Sequence, residues 1–191
     1  MTRKKLYDEK MVLEKAMYSF WEHGYRGVTT RDLATAMGIN QFSVYASFEN
    51  KETLFVKSLE YYFENMFVKQ TLQPLRDGKL TLENLQQFLQ QFIDTSETDY
   101  PHGCFICNTM IEDSNVSNDA DQIIKRYTKI MNAAFQTIIN DIYPEADETF
   151  VLNKTRFLFG SFLGLTLLKR MGGNGEPIQS YVNEMLTAIS N

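Results

Sequence analysis

Apolar residues return every three or four positions along almost the whole chain, a period that admits helices and excludes a sheet. Val12, Leu13, Ala16, Met17 and Phe20 form one such face, and Ile123, Tyr127, Ile130, Met131, Ala134, Phe135 and Ile138 form the most regular one. No segment alternates with the period of two that a half-buried strand requires. Only four prolines interrupt 191 residues, which favours long helices over turns. The breakers divide the chain. Gly24 ends a first helix, and a short helix follows from about Thr30 to Met37. Thr29 caps that helix, with Asp32 returning the cap three residues on. Gly38 breaks it, and a second short helix runs from about Gln41 to Phe48. Asn50 then caps a long helix through about Gln70. Further helices start at Leu82, run from Cys104 to about Glu112, centre on Ile123–Ile138, and span Phe150–Arg170 and about Pro177–Ile189. The fold class is all-α, with about nine helices.

The charge balance is −5, so the bulk basic surface of many nucleic-acid binders is absent. Residues 1–55 carry +1 and the remainder −6, so an anion-binding surface is expected in the first part. Two cysteines are too few for a disulfide framework and point to a reducing cytoplasm. Arg3, Lys4 and Lys5 are followed by Asp8, Glu9, Lys10, Glu14 and Lys15 rather than by an apolar signal core. The longest apolar run, Phe157 to Leu168, spans twelve residues. That is too short for a membrane helix, so no membrane partner is expected.

The densest signal is the segment from Thr30 to Tyr45. Two short helices meet at a turn where Gly38 can take a left-handed backbone, and small Ala34 lets the second cross closely. Ile39 and Val44 supply the contacts between them. The spacing of Ala34, Gly38 and Val44 fits a DNA-binding helix-turn-helix, whose second helix enters the major groove with its N-terminal residues on base edges. Those residues are Gln41, Phe42 and Ser43. Glutamine can pair with adenine in a bidentate manner, phenylalanine can meet a thymine methyl, and serine is less selective. Thr30 and Arg31 stand at a helix N-terminus, where free N–H groups favour an anion. Tyr45 can offer its hydroxyl to a phosphate. Lys51 lies in the first turn of a helix, where a cation costs roughly 0.3–1 kcal/mol. A phosphate nearby would compensate.

The stretch from Ala16 to Phe55 resembles the TetR/AcrR family of transcriptional regulators. Phe20-Trp21-Glu22-His23-Gly24-Tyr25, Thr29-Thr30-Arg31-Asp32-Leu33-Ala34 and Ser43-Val44-Tyr45 through Lys51-Glu52-Thr53-Leu54-Phe55 carry the likeness. The resemblance implies a DNA-binding head over residues 1–50 and a helical effector-binding and dimerisation body over residues 51–191. Tyr45 and Lys51 match the pattern. Ala46 and Ser47 depart from the bulky His or Tyr common in the family, which removes a backbone contact there.

Eight body residues could line an effector cavity: Met66, Phe67, Phe88, Phe92, Phe105, Tyr127, Met131 and Phe135. The plain alternative for each is core. Few charges fall on these faces, so an apolar or aromatic effector is expected. Gly160, Ser161 and Gly164 recur at helical spacing beside Phe157, a pattern that resembles the family's body helix that pairs with its twin. A two-fold reader needs a palindromic double-stranded operator with half-sites about 34–36 Å apart, and hence a homodimer.

Pro101-His102-Gly103-Cys104-Phe105-Ile106-Cys107 is the other notable segment. A thiol at the N-terminal end of a helix is acidified, and one three residues on can resolve its oxidised form. Cys104 and Cys107 therefore carry an alternative reading, a thiol-based redox or electrophile sensor or, further off, a redox enzyme. Against the enzyme stands the lack of any βαβ context, phosphate loop or nucleophile elbow. Gly172-Gly173-Asn174-Gly175 follows a helix rather than a strand and is no dinucleotide loop. Two histidines in all, without a second ligand pair, argue against a metal. The chain reads as a non-enzymatic DNA-binding regulator without a cofactor.

Overall fold

The computed structural model describes residues 7–76, 78–94, 103–112 and 117–191. These residues form nine α-helices and no strand: α1 (Glu9–Gly27), α2 (Thr30–Met37), α3 (Gln41–Phe48), α4 (Lys51–Tyr62), α5 (Leu82–Asp94), α6 (Phe105–Glu112), α7 (Asn118–Ile142), α8 (Glu148–Arg170) and α9 (Gly175–Ser190). His102 and the expected turn around Pro101 lie outside the described residues, as does most of the polar stretch from Ser114.

Side chains satisfy the helix starts, at Thr29 and Asn50 as the sequence leads one to expect and at three further caps that the structure adds. Thr29 and Asp32 form a reciprocal capping box on α2. Asn40 accepts from Ser43 N–H on α3, Asn50 from Thr53 N–H on α4, Ser117 from Ala120 N–H on α7, and Asp147 from Phe150 N–H on α8. Gly38 terminates α2 at φ 71°, ψ 27°, with open space around its α-carbon.

Two helices differ from what their periodicity predicts. The first does not stop at Gly24. It kinks there, at φ 73°, ψ 168°, and then winds on to Gly27. A side chain at Gly24 would run into the Glu112 carboxylate of α6, which also pairs with Arg170 at the end of α8. The helix expected from Asn50 to Gln70 is α-helical only to Tyr62; Phe63–Thr71 continues it in wider π turns. Leu72 N–H reaches Phe67 C=O, and the Gln70 and Thr71 side chains bond the Asn65 and Met66 carbonyls, each five residues back. These side chains support a winding that apolar spacing cannot reveal.

One buried cluster runs from Val12 to Ile189. Its amino-terminal part centres on Phe105 of α6, whose ring stacks on Trp21 at 6.2 Å and meets Phe55 and Tyr62 edge-on at 5.8 Å. Its distal part is an aromatic group in which Phe162 of α8 lies 5.2 Å from Phe88 and 5.0 Å from Phe92, with Phe135 of α7 at 6.0 Å. Helix α4 is tied to α7 on the surface by Arg126, which donates to Glu60 and Glu64 at 2.8 Å. Half-exposed ion pairs of this kind add little stability. Among the described residues no helix is long and apolar enough to cross a membrane.

Candidate nucleic-acid interface

Helix α3 presents its sequence-predicted reading residues on an outward face. Leu33, Ala34, Met37, Val44 and Phe48 are buried where α2 crosses α3, with α2 packed on α1 and α3 on α4. That packing leaves Gln41, Phe42, Tyr45 and Ala46 exposed. The ring of Phe42 is 77% exposed, an unusual position for a large apolar side chain and one with no packing role in the chain itself. Ser43 is half-buried, and its N–H goes to the Asn40 cap. Arg31 is exposed on the first turn of α2, beside half-buried Thr30. The Tyr45 hydroxyl donates to Thr30 Oγ1 at 3.3 Å, so one polar cluster joins the N-terminus of α2 to the outer face of α3.

Lys51 stands at the start of α4, with its Nζ 4.5 Å from the centre of the Tyr25 ring. Burial against that ring holds the ammonium below its ordinary pKa. Tyr25 in turn packs 4.9 Å from Phe55. The sequence reading missed Tyr25, because nothing in its spacing distinguishes a ring supporting a lysine from a ring in the core. It also missed Glu49, which links α3 to α4 at φ 63°, ψ −59°. A non-glycine residue with that backbone is strained, and it sets the tight angle at which the outward face of α3 is held on α4.

Behind this unit lies a cavity of about 470 Å³ between α1, α4 with its π extension, and α5. Tyr18, Tyr61, Tyr62, Met66 and Phe92 supply rings and a thioether to its wall; Glu14, Asn65, Gln70, Thr71 and Gln91 supply polar groups. Burial, with help from Glu14 and Asp8, holds the Tyr61 hydroxyl above its ordinary pKa, so that hydroxyl stays neutral and can donate. Of the eight residues picked from sequence, Met66 and Phe92 line this cavity. The other six do not: Phe67, Phe88, Phe105, Tyr127, Met131 and Phe135 are fully packed in the core. Rings at helical spacing bury the most area when they meet one another, and here they do. The wall is also more polar than those faces suggest.

On α8, Gly160 has open space at its α-carbon, Phe157 is 46% exposed and Ser161 is half-buried. Gly164 faces inward, where a side chain would meet the Tyr181 hydroxyl of α9. Leu152, Leu167, Leu168 and Met171 extend an exposed apolar strip along the same helix. Cys104 and Cys107 are buried and unpaired by a disulfide; no three His, Cys, Asp or Glu side chains among the described residues gather as metal ligands would.

Known proteins share this arrangement. Residues 12–57 match the family model of bacterial regulatory proteins, tetR family. The chain is 27% identical to the HTH-type transcriptional repressor ComR of Escherichia coli K12, over 96% of this chain and 90% of that protein. It is 34% identical to the biofilm operon icaADBC negative regulator IcaR of Staphylococcus epidermidis, over 43% of each chain. In fold it is similar to the TetR family regulator CifR, solved as a cysteine mutant with a 26-bp operator DNA. The TM-score is 0.83 at 23% identity, covering 97% of this chain and 99% of that one. Residues 12–57 thus match the DNA-binding helix-turn-helix of the tetR family, and the chain as a whole is similar in sequence and fold to TetR-type transcriptional regulators.

Proposed function

We propose that the chain is a homodimeric cytoplasmic repressor, with a head over residues 1–50 and a body over residues 51–191, released from a palindromic operator by a small molecule. The observation that carries this reading is the single rod formed by α4 and its π extension. One end holds α3 and Lys51; the other end walls the cavity through Tyr61, Tyr62 and Met66. A ligand that spreads α4 from α1 and α5 moves the outward face of α3 and changes the distance between two such faces in a dimer. A coupling of about 1–3 kcal/mol is enough, and DNA then weakens the ligand reciprocally. Aromatic walls with a few polar groups suit an aromatic effector bearing one or two hydrogen-bonding substituents.

In DNA recognition, Gln41 and Phe42 read base edges, with Ser43 beside them, while Thr30, Arg31, Tyr45 and Lys51 hold phosphates. Selection from a random duplex library with the reduced protein tests the reading. A palindrome with half-sites about one helical turn apart supports it; enrichment of no sequence overturns it. Gln41→Ala is expected to relax base preference at one position per half-site by roughly 1–3 kcal/mol, read as binding to single-substitution operators. Lys51→Ala is expected to weaken all sequences alike and to flatten the salt dependence by about one unit. A loss confined to one operator would instead make Lys51 a base reader.

Dimerisation uses the apolar strip of α8, with Phe157, Gly160 and Ser161 at its centre and Gly164 setting the close α8–α9 packing behind it. Leu168→Glu is expected to give a monomer in sedimentation at micromolar concentration, because the charge is buried without a partner in a two-fold contact. A dimer of unchanged mass would move the interface elsewhere.

A further inference from the structure

The cavity between α1, the α4 rod and α5 has a one-sided charge. Among the described residues that line it, Glu14 of α1 is the one carboxylate, and none is a lysine or arginine. Glu14 has no ion-pair partner among the described residues. It is half-buried beside rings, so it has given up part of its hydration without a counter-charge in return. The other polar groups of the wall turn elsewhere. Thr71 gives its hydroxyl proton to the Met66 carbonyl at 3.4 Å, and Gln70 donates to the Asn65 carbonyl at 3.2 Å. Asn65 has both ends of its amide engaged: it donates to the Tyr61 carbonyl at 3.0 Å and accepts from Lys69 Nζ at 2.9 Å. Lys69 itself is exposed and is not part of the wall.

Four rings from three helices stand around this carboxylate: Tyr18 of α1, Tyr61 and Tyr62 of α4, and Phe92 of α5. Three of them are held by rings behind them. Tyr18 stacks on Trp21 at 6.1 Å, Tyr62 meets Trp21 edge-on at 5.0 Å, and Phe92 lies 5.0 Å from Phe162. The faces of aromatic rings carry partial negative charge and attract cations. Burial, then the charges of Glu14 and Asp8, push the Tyr61 hydroxyl up, so the electrostatic field along this wall is negative. A volume of about 470 Å³ has room for a ring system together with a charged substituent.

We propose that this cavity takes an organic cation, an aromatic ring bearing an ammonium group, with the ammonium on Glu14 and the ring among the four aromatic side chains. An anionic effector meets a like charge and no donor cluster, so carboxylates are rejected. The proposal deepens the effector reading above and rests on it for the consequence at DNA; the charge preference of the cavity does not depend on DNA. Glu14 belongs to α1, the first helix of the head, whereas Tyr61, Tyr62 and Phe92 belong to the body. The cation therefore grips the head side of the cleft by its charge and the body side by its ring, which makes it the wedge that the α4 rod responds to.

The test is calorimetric titration of the full-length protein, without DNA, with three probes that share one ring: naphthylmethyl-trimethylammonium, naphthylmethanol and naphthylacetate. The cation is expected to bind roughly tenfold tighter than the alcohol, with the acetate weakest. Glu14→Gln keeps the shape of the wall and removes its charge. It should weaken the cation roughly 10-fold to 100-fold and leave the alcohol unchanged. Tyr61→Leu keeps the charge and removes a ring, and should weaken the cation more than the alcohol. Failure of the cation to bind, an alcohol or acetate that binds as tightly, or a cation preference that survives Glu14→Gln would each overturn the proposal. Operator affinity, measured separately, tells the two readings apart. A cation that binds through Glu14 but leaves operator affinity unchanged sinks the release mechanism and keeps the site. Release by the alcohol or the acetate with no preference for the cation keeps the mechanism and sinks the site.

Discussion

Replacing Phe105 by alanine is expected to cost about 3–5 kcal/mol of folding stability. The ring is 2% exposed and touches three aromatic side chains from two other helices. The cavity it leaves is bounded by Trp21, Phe55 and Tyr62, which are themselves fixed in the cluster and cannot collapse into it. α6 has only eight residues, so few other contacts of its own compensate. Urea titration followed by far-UV circular dichroism reads the effect as a lower midpoint at unchanged slope. A loss below about 1 kcal/mol would show that α6 is not the brace between α1 and α4.

The second large effect is expected at Gly24. Its backbone lies where essentially only glycine is comfortable, so a side chain costs about 1–3 kcal/mol there from strain alone. An added methyl group also displaces the Glu112 carboxylate and separates it from Arg170. Gly24→Ala should therefore lose about 2–4 kcal/mol in all. Gly38→Ala is the control: its φ 71°, ψ 27° is the ordinary left-handed region and nothing crowds it. That change should cost about 1–2 kcal/mol. Equal losses at the two glycines would remove the Glu112 contact from the account. Gly24 also sets the direction of Tyr25 and, through it, of Lys51, so Gly24→Ala should weaken operator binding beyond what its instability explains.

Much of the interface was legible from residue order because its determinants are local. The capping box on α2, the left-handed turn at Gly38 and the Asn40 and Asn50 caps all act within four residues. They place Gln41, Phe42 and Tyr45 outward once Val44 and Phe48 turn inward. The cavity was not legible in this way. Its wall draws on α1, the π turns after Tyr62, and α5, and a periodic apolar face looks the same whether it meets another helix or an empty space. So Met66 and Phe92 were found while Tyr18, Tyr61 and Tyr62 were not. Phe88 and Phe135 joined Phe162 in the core instead.

Helical spacing, breakers and caps thus determined by themselves that the chain is all-α, where α2, α3 and α4 begin, and which residues of α3 face outward, since each depends on near neighbours along the backbone. Three features needed the tertiary structure: the continuation of α1 through Gly24 over the Glu112–Arg170 pair, the π winding that opens a cavity beneath Tyr62, and the convergence of both cysteines on Tyr127. The Gly24 contact, the cavity wall shared by α1 and α5, and the cysteine–Tyr127 cluster each join side chains from distant parts of the chain, and packing density rather than local propensity chooses such partners.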